Sequence, residues 1–251
     1  MDSGLYAAYT GLLARTQALD TAANNLANAG TTGFRAQRDY FSGVLAGGID
    51  QDRETASQVG QSVNGFGVLG GNRLDLGQGE IKATGNPLDL ALAGQGFFAI
   101  QTTHGIRYTR DGAFSRSSTG VLQTAQGEPV LDTNQQPIII PTGSVYVSPD
   151  GSISVSTVDG SMIVGKVGAF DFPEKSVLTA EGANRFSVNG AKPIPSSALI
   201  EQGSVEAANE DAIHGTIQLV LVQRQAEMMQ KALSVFNNDF DKTASEDLPR
   251  V

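Results

Sequence analysis

Residues 3–28 read SGLYAAYTGLLARTQALDTAANNLAN, a proline-free stretch with an apolar residue at every third or fourth position. Steps of four and three from Leu5 pick out Leu5, Tyr9, Leu12, Thr16, Leu19, Ala23 and Leu26. Only Thr16 is plainly polar, so the pattern is the narrow seam of a coiled-coil edge, not the broad face of a globular helix. A lone helix of this length is marginal in water and needs a packing partner. A second seam lies far along the chain, in Ala212, Gly215, Leu219, Val222, Ala226, Met229, Leu233, Phe236 and Phe240. Two helical arms are therefore predicted, with an interior of a different kind between them.

That interior is built of short β-branched or aromatic runs: Phe97–Ile100, Ile106–Thr109, Ile138–Ile140, Val145–Val147, Ile153–Val155 and Val164–Phe170. Turn pairs separate them, among them Asp111-Gly112, Thr119-Gly120, Asp150-Gly151 and Asn189-Gly190. Such punctuation predicts an all-β domain of sandwich or barrel type. The fold class expected is mainly β with α-helical termini, the central domain made of short antiparallel strands. The predicted organisation is an N-terminal helical arm over 1–41 and an extended Gly-rich polar arm over 42–79. A β domain over 80–190, a Pro-stiffened return linker over 191–204 and a C-terminal helical arm over 205–251 follow. Asn209 is expected to cap the last helix. Residues 34–41 fit either a helical turn or an extended segment, and a hairpin is expected near Gly65–Leu76.

The net charge of −9 argues against a nucleic-acid backbone or an anionic membrane as partner. Hydrophobic residues at 40% allow a buried core. Absence of cysteine rules out disulfides and thiolate chemistry and suits passage between redox compartments. No apolar run reaches the ~18 residues of a membrane span. The first residues lack a basic region followed by an apolar core, so no secretory signal peptide is expected.

Little suggests catalysis. Gly65-Phe66-Gly67-Val68-Leu69-Gly70 matches a dinucleotide-binding pattern literally but lacks the strand before it and the helix after it. His104 falls in a turn and His214 on the last helix, neither beside partners that would make a triad or a metal site. No catalytic residue, metal site or cofactor is predicted.

Four blocks in order bring the chain close to a known group. Asn24-Asn25-Leu26-Ala27-Asn28 followed by Thr31-Thr32-Gly33-Phe34-Arg35 resembles the N-terminal signature of the bacterial flagellar rod and hook axial proteins. Gly85–Ala91 running into Gly94–Phe98 is similar to the segment opening that family's β domain, and Tyr108–Phe114 to its Y-T-R-D/N-G-x-F hairpin. Gln223-Arg224, Glu227 and Lys231 resemble its C-terminal helix, with Ala226 where the family usually has tyrosine. The resemblance spans nearly the whole chain, and the single β domain looks like a rod protein; proximal and distal subtypes both stay open.

The resemblance implies a structural subunit of the flagellar basal-body rod, the hollow axle that carries motor torque to hook and filament. It implies as partners further copies of the chain, neighbouring rod and hook proteins and the flagellar type III export apparatus. It also implies a periplasmic position in the basal body, reached without a cleaved signal peptide, and neither nucleic-acid binding nor direct membrane insertion. The expected assembly interface comprises Leu5, Tyr9, Leu12, Leu19, Asn24, Asn25, Leu26 and Asn28, with Gly33 as a hinge and Phe34 as an anchor. Leu219, Val222, Arg224, Met229, Leu233 and Phe236 complete it on the C-terminal helix. The same leucines also suit packing within one chain, and both arrangements stand open at this point. The rival class is a soluble β-domain module that binds carbohydrate or protein, with the helices as an oligomerisation region.

Overall fold

Both seams fold as helices. A computed structural model describes residues 2–42, 68–158, 160–174, 178–182 and 184–246, and has α1 over Asp2–Ala27 and α2 over Ala212–Glu246. The chain divides into two compact units: 1–27, 37–73 and 212–251 form the first, and 28–36 with 74–211 the second. In the first unit α1 and α2 pack together in opposite directions. Gly11 near the start of α1 lies beside Met229, while Ala18 and Ala22 line a groove with Gln218 and Val222. Strands β1 (Gln37–Ser42) and β2 (Val68–Leu74) pair beside them, which resolves residues 37–41 as extended chain.

The second unit is all β. Its strands are β3 (Ile81–Ala83), β4 (Leu90–Ala93), β5 (Phe97–Thr102), β6 (Gly105–Thr109), β7 (Ser115–Arg116), β8 (Leu122–Gln123) and β9 (Ser144–Val147). They continue as β10 (Ser152–Thr157), β11 (Gly160–Lys166), β12 (Ala169–Asp171), β13 (Leu178–Gly182), β14 (Arg185–Val188), β15 (Ile194–Pro195), β16 (Leu199–Gln202) and β17 (Ser204–Glu206). A six-stranded sheet runs β13-β14-β6-β5-β12-β15, and a three-stranded sheet β11-β10-β9. The pairs within both are antiparallel.

The apolar run at β5 organises this unit. Side chains alternate across a strand, so Phe98 and Ile100 point one way and Phe97 and Ala99 the other. Phe98 and Ile100 join a core with Leu92, Val130, Ile140 and Ile153. Phe97 and Ala99 join a second core with Tyr108, Phe170, Phe172 and Phe186. That second core is aromatic and edge-packed: Tyr108 meets Phe172 at 4.8 Å and Phe97 meets Phe186 at 5.5 Å between ring centroids. A strand buried on both faces has no polar alternation, which is why the run is continuously apolar.

The units are cut differently from the expected arms. Residues 28–36 belong to the β unit, and so does the whole of 191–211. The expected return linker carries β15 and β16, with Ile200 in the core. Pro195 is tolerated there because β15 is an edge strand, where a missing N–H breaks no ladder bond. Asn209 is not the cap of α2. Its side-chain oxygen accepts from Ala36 N–H at 2.8 Å and its amide donates to Asp75 O at 2.8 Å, tying separate segments of the β unit together. Residues 43–67 of the expected extended arm, with the first half of the literal glycine motif, lie outside the described residues; Val68–Gly70 of that motif begin β2, and β2 pairs with β1 where a hairpin near Gly65–Leu76 was expected.

Candidate assembly surface

On α1 the buried stripe is Gly11, Ala14, Ala18, Ala22 and Asn25. It is not the leucine seam. At 100° per residue the leucine seam is centred about 130° round the helix from that stripe. Consistently, Leu12, Leu19 and Leu26 are only half-buried, while Tyr9 is 52% and Leu13 60% exposed. Small residues win the contact because they let the helix backbones approach and receive the larger side chains of the partner. The side chains of Leu5 and Phe236 lie outside the described residues.

On α2 the inward stripe agrees with the seam: Gly215, Val222, Ala226 and Leu233 are buried, and Leu219 and Met229 half-buried. Leu219, Val222, Met229 and Leu233, expected at a contact with other subunits, therefore belong to the packed inner side of the helix. A second row lies about 180° away, again at steps of three and four. It reads Ile213, Ile217, Val220, Arg224, Met228, Lys231 and Val235, all exposed; Ile213 is 70% and Met228 62% exposed. An isolated exposed apolar side chain needs no explanation, but a heptad row of them on the far side of a helix marks an interaction surface.

The signature asparagines divide in role. Asn25 is buried, donating to Gln37 O at 2.8 Å and accepting from Gln37 N–H at 2.9 Å, so its side chain acts as a piece of strand backbone and fixes β1 on α1. Thr21 adds a bond to Asp39 at 3.0 Å. Asn24 is exposed and Asn28 half-buried.

The rest of the signature is a clasp inside the β unit. Gly33 N–H donates to Glu206 O at 2.7 Å, Thr32 Oγ1 donates to Asp111 Oδ1 at 2.8 Å, and Asn184 Nδ2 donates to Thr32 O at 2.6 Å. Gly33 sits at φ +67°, and a Cβ built there falls 2.2 Å from the backbone N of Asp111. The residue expected as a hinge is thus a close approach of two backbone segments in this chain. Phe34 is half-buried, its carbonyl accepting from Asn209 N–H at 3.3 Å.

At the centre of the clasp is Glu206, fully buried. One carboxylate oxygen accepts from Arg35 at 2.6 Å and from Gly79 N–H at 2.7 Å; the other accepts from Arg110 at 3.0 Å. Arg110 also donates to the carbonyls of Leu92 and Gly94 and stands 5.6 Å from the centre of the Phe97 ring. Burial pushes the Arg110 guanidinium down to about 10, with Glu206 opposing that shift and the charge of Arg35 reinforcing it. Two cations thus share one carboxylate in a dry site. Sequence patterns did not expose this cluster: Arg35 and Arg110 stand inside recognisable blocks, but nothing local marks Glu206 as their partner.

Nothing in this arrangement resembles a reaction centre. Among the described residues no group of His, Cys, Asp or Glu is placed to hold a metal ion, and no helix is long and apolar enough to cross a membrane.

Comparison with known proteins supplies the context. Residues 5–35 match the family described as flagella basal body rod protein, and residues 91–155 match the flagellar hook protein FlgE/F/G D1 domain. The chain is 34% identical over 237 residues to the flagellar basal-body rod protein FlgF of Caulobacter vibrioides, covering 93% of each chain. It is 32% identical to FlgF of Mesorhizobium japonicum over 90% of each chain. It is 28% identical to the rod protein FlgG of Borreliella burgdorferi, covering 95% of this chain and 96% of that one. The similarity includes the helices as well as the β unit, which disfavours a β-domain binding module with an unrelated oligomerisation region.

Proposed function

We propose how this chain, which belongs to the flagellar basal-body rod protein family, joins its neighbours: through the helical faces that α1 and α2 leave exposed. As a member of that family it is a structural subunit of the flagellar basal body, and it assembles with other rod and hook proteins. The family is a structural one, not an enzyme family. In our reading this chain likewise carries no catalytic activity and works by forming part of a hollow, torque-bearing axle.

The observation that carries the reading is the second apolar row of α2, with Ile213, Ile217 and Met228 turned away from the helix that fills its other side. The leucine seam of α1 offers a second such edge. Of the residues expected at the interface, Tyr9, Leu12, Leu19, Leu26 and Arg224 keep that role. Asn25 and Gly33 hold the chain to itself. A subunit with two unlike edges repeats head to tail, and where the rotation does not close a ring the repeat is a helical filament, which is how an axle grows. The helices then form the inner layer of the rod, in the periplasmic space. The flagellar type III export apparatus delivers the chain there.

Changing Ile217 and Met228 to aspartate tests this reading, since each charge would lie in the contact but on the solvent side of an isolated subunit. The doubly substituted chain is expected to keep its thermal melt within a few degrees, because exposed positions contribute little to folding. It should be lost from purified basal bodies, and swimming should stop. Normal incorporation would overturn the reading.

A further inference from the structure

We infer that successive copies of this chain dock α1 on α2: the exposed edge of α1 on one copy meets the outer row of α2 on the next, with Asp20 opposite Arg224. This rests on the assembly role proposed above and specifies which faces meet.

On the exposed side of α1, beside Tyr9, Thr16 and Ala23, the charged residue is Asp20. The outer row of α2 carries Arg224 and Lys231 among its apolar side chains. Asp20, Arg224 and Lys231 are all exposed, and none forms an ion pair among the described residues. Glu227, at the margin of the α2 row, accepts a hydrogen bond from Gln223 of its own helix at 3.2 Å. Arg15 lies on the opposite margin of the α1 edge, towards α2.

Consider the three ways two edges can meet. Two α2 rows face to face would bring Arg224 and Lys231 of both copies together as the apolar side chains dehydrate. Two α1 edges would bring Asp20 towards its own equivalent. Like charges brought together in a drying contact are penalised, and opposite ones fix partner and register. Glu227 and Arg15 stand at the margins; of the exposed charges Asp20, Arg224 and Lys231, only the unlike pairing sets an acid against a base. It is also the only one that propagates: a like pairing uses the same patch twice and stops at a dimer, whereas an unlike pairing leaves one edge free at each end. Within one copy the contact is ruled out, because Asp20 and Arg224 each lie on the side of their helix turned away from the other helix.

The chain has no cysteine, so introduced thiols report cleanly. Full-length Asp20→Cys and Arg224→Cys chains are expressed together in flagellated cells and treated with a short bis-maleimide. The expected product is a dimer containing one chain of each kind, at least about tenfold more abundant than from either variant alone. Separately, Asp20→Arg and Arg224→Asp should each lower incorporation into basal bodies about tenfold, and the double exchange should restore it. Cross-linking of either variant to itself, cross-linking only to a protein of different mass, or failure of the double exchange to restore incorporation would each overturn the pairing. The outcomes separate the two proposals. If Ile217 and Met228 tolerate aspartate, the helical faces are not the contact at all. If they do not and the unlike dimer is still missing, this pairing alone falls.

Discussion

Replacing Glu206 with alanine is expected to destabilise the chain by about 3–5 kcal/mol, the usual consequence of stripping one partner from a buried charge cluster. Two guanidinium groups would then share a dry site with no carboxylate between them. Glu206 is the main group opposing the downward push of burial and of the Arg35 charge on the Arg110 guanidinium, so its removal leaves that cation beside a like charge with its chief counter-charge gone. Arg35 Nε and Nη1 and Arg110 Nε already lack hydrogen-bond partners among the described residues, so no spare acceptor stands ready to take over. The loss would also reach the architecture, because Glu206 joins segments at 33–35, 79 and 110. For a chain of this length the melting temperature should fall by roughly 10 °C, at about 2–4 °C per kcal/mol. Glu206→Gln keeps the shape and an acceptor while removing the charge, and should fall between wild type and alanine. A Glu206→Ala chain that melts with the wild type would show that the cluster contributes nothing.

Gly33→Ala comes next in expected size, at about 2–5 kcal/mol. One to two kcal/mol of that is left-handed backbone strain at a residue with a Cβ, and the remainder is overpacking. The obstruction is backbone, at 2.2 Å from Asp111 N and 2.4 Å from Arg110 C, so no side chain can swing aside. Relief requires the 31–36 segment to lift off the rest of the β unit, which breaks the bond from Gly33 N–H to Glu206 O. Gly30, three residues earlier in the same signature, is the control: a Cβ there meets nothing within 4 Å. Gly30→Ala should melt within about 0.5 kcal/mol of wild type, as ordinary surface substitutions do. Equal melts for the two alanine variants would refute the close-approach account of Gly33.

The inner stripe of α2 was legible residue by residue, because its apolar positions are large and its periodicity regular. On α1 the same logic picked out the leucine row and passed over the buried stripe, because leucine dominates any hydrophobic pattern whereas Gly11, Ala14, Ala18 and Ala22 are too small to stand out in one. The turn glycines were also readable, and Gly120, Gly151 and Gly190 all take positive φ. Gly112 was read as a turn glycine too, but its need is different: a Cβ there would lie 1.7 Å from Leu90 O. In 191–206, β15 was hidden by prolines that an edge position tolerates, and β16 and β17 are too short to show an alternating pattern. Least legible was the clasp. Arg35, Arg110 and Glu206 are scattered along the chain, and a buried ion cluster has no periodicity to reveal it. The family blocks showed that their segments matter without showing that they meet.

The exposed helical faces carry the functional account, and thiol accessibility tests them most directly. Single cysteines at Leu13, Ile217 and Val158 would be labelled with a membrane-impermeant maleimide, in the purified subunit and in isolated basal bodies. All three side chains are exposed in the subunit, Val158 being the reference in the β unit. The account expects labelling at 13 and 217 to be lost on assembly and labelling at 158 to persist. If 13 and 217 label as readily in the rod as in the free subunit, the helices do not form the contact, and the account fails.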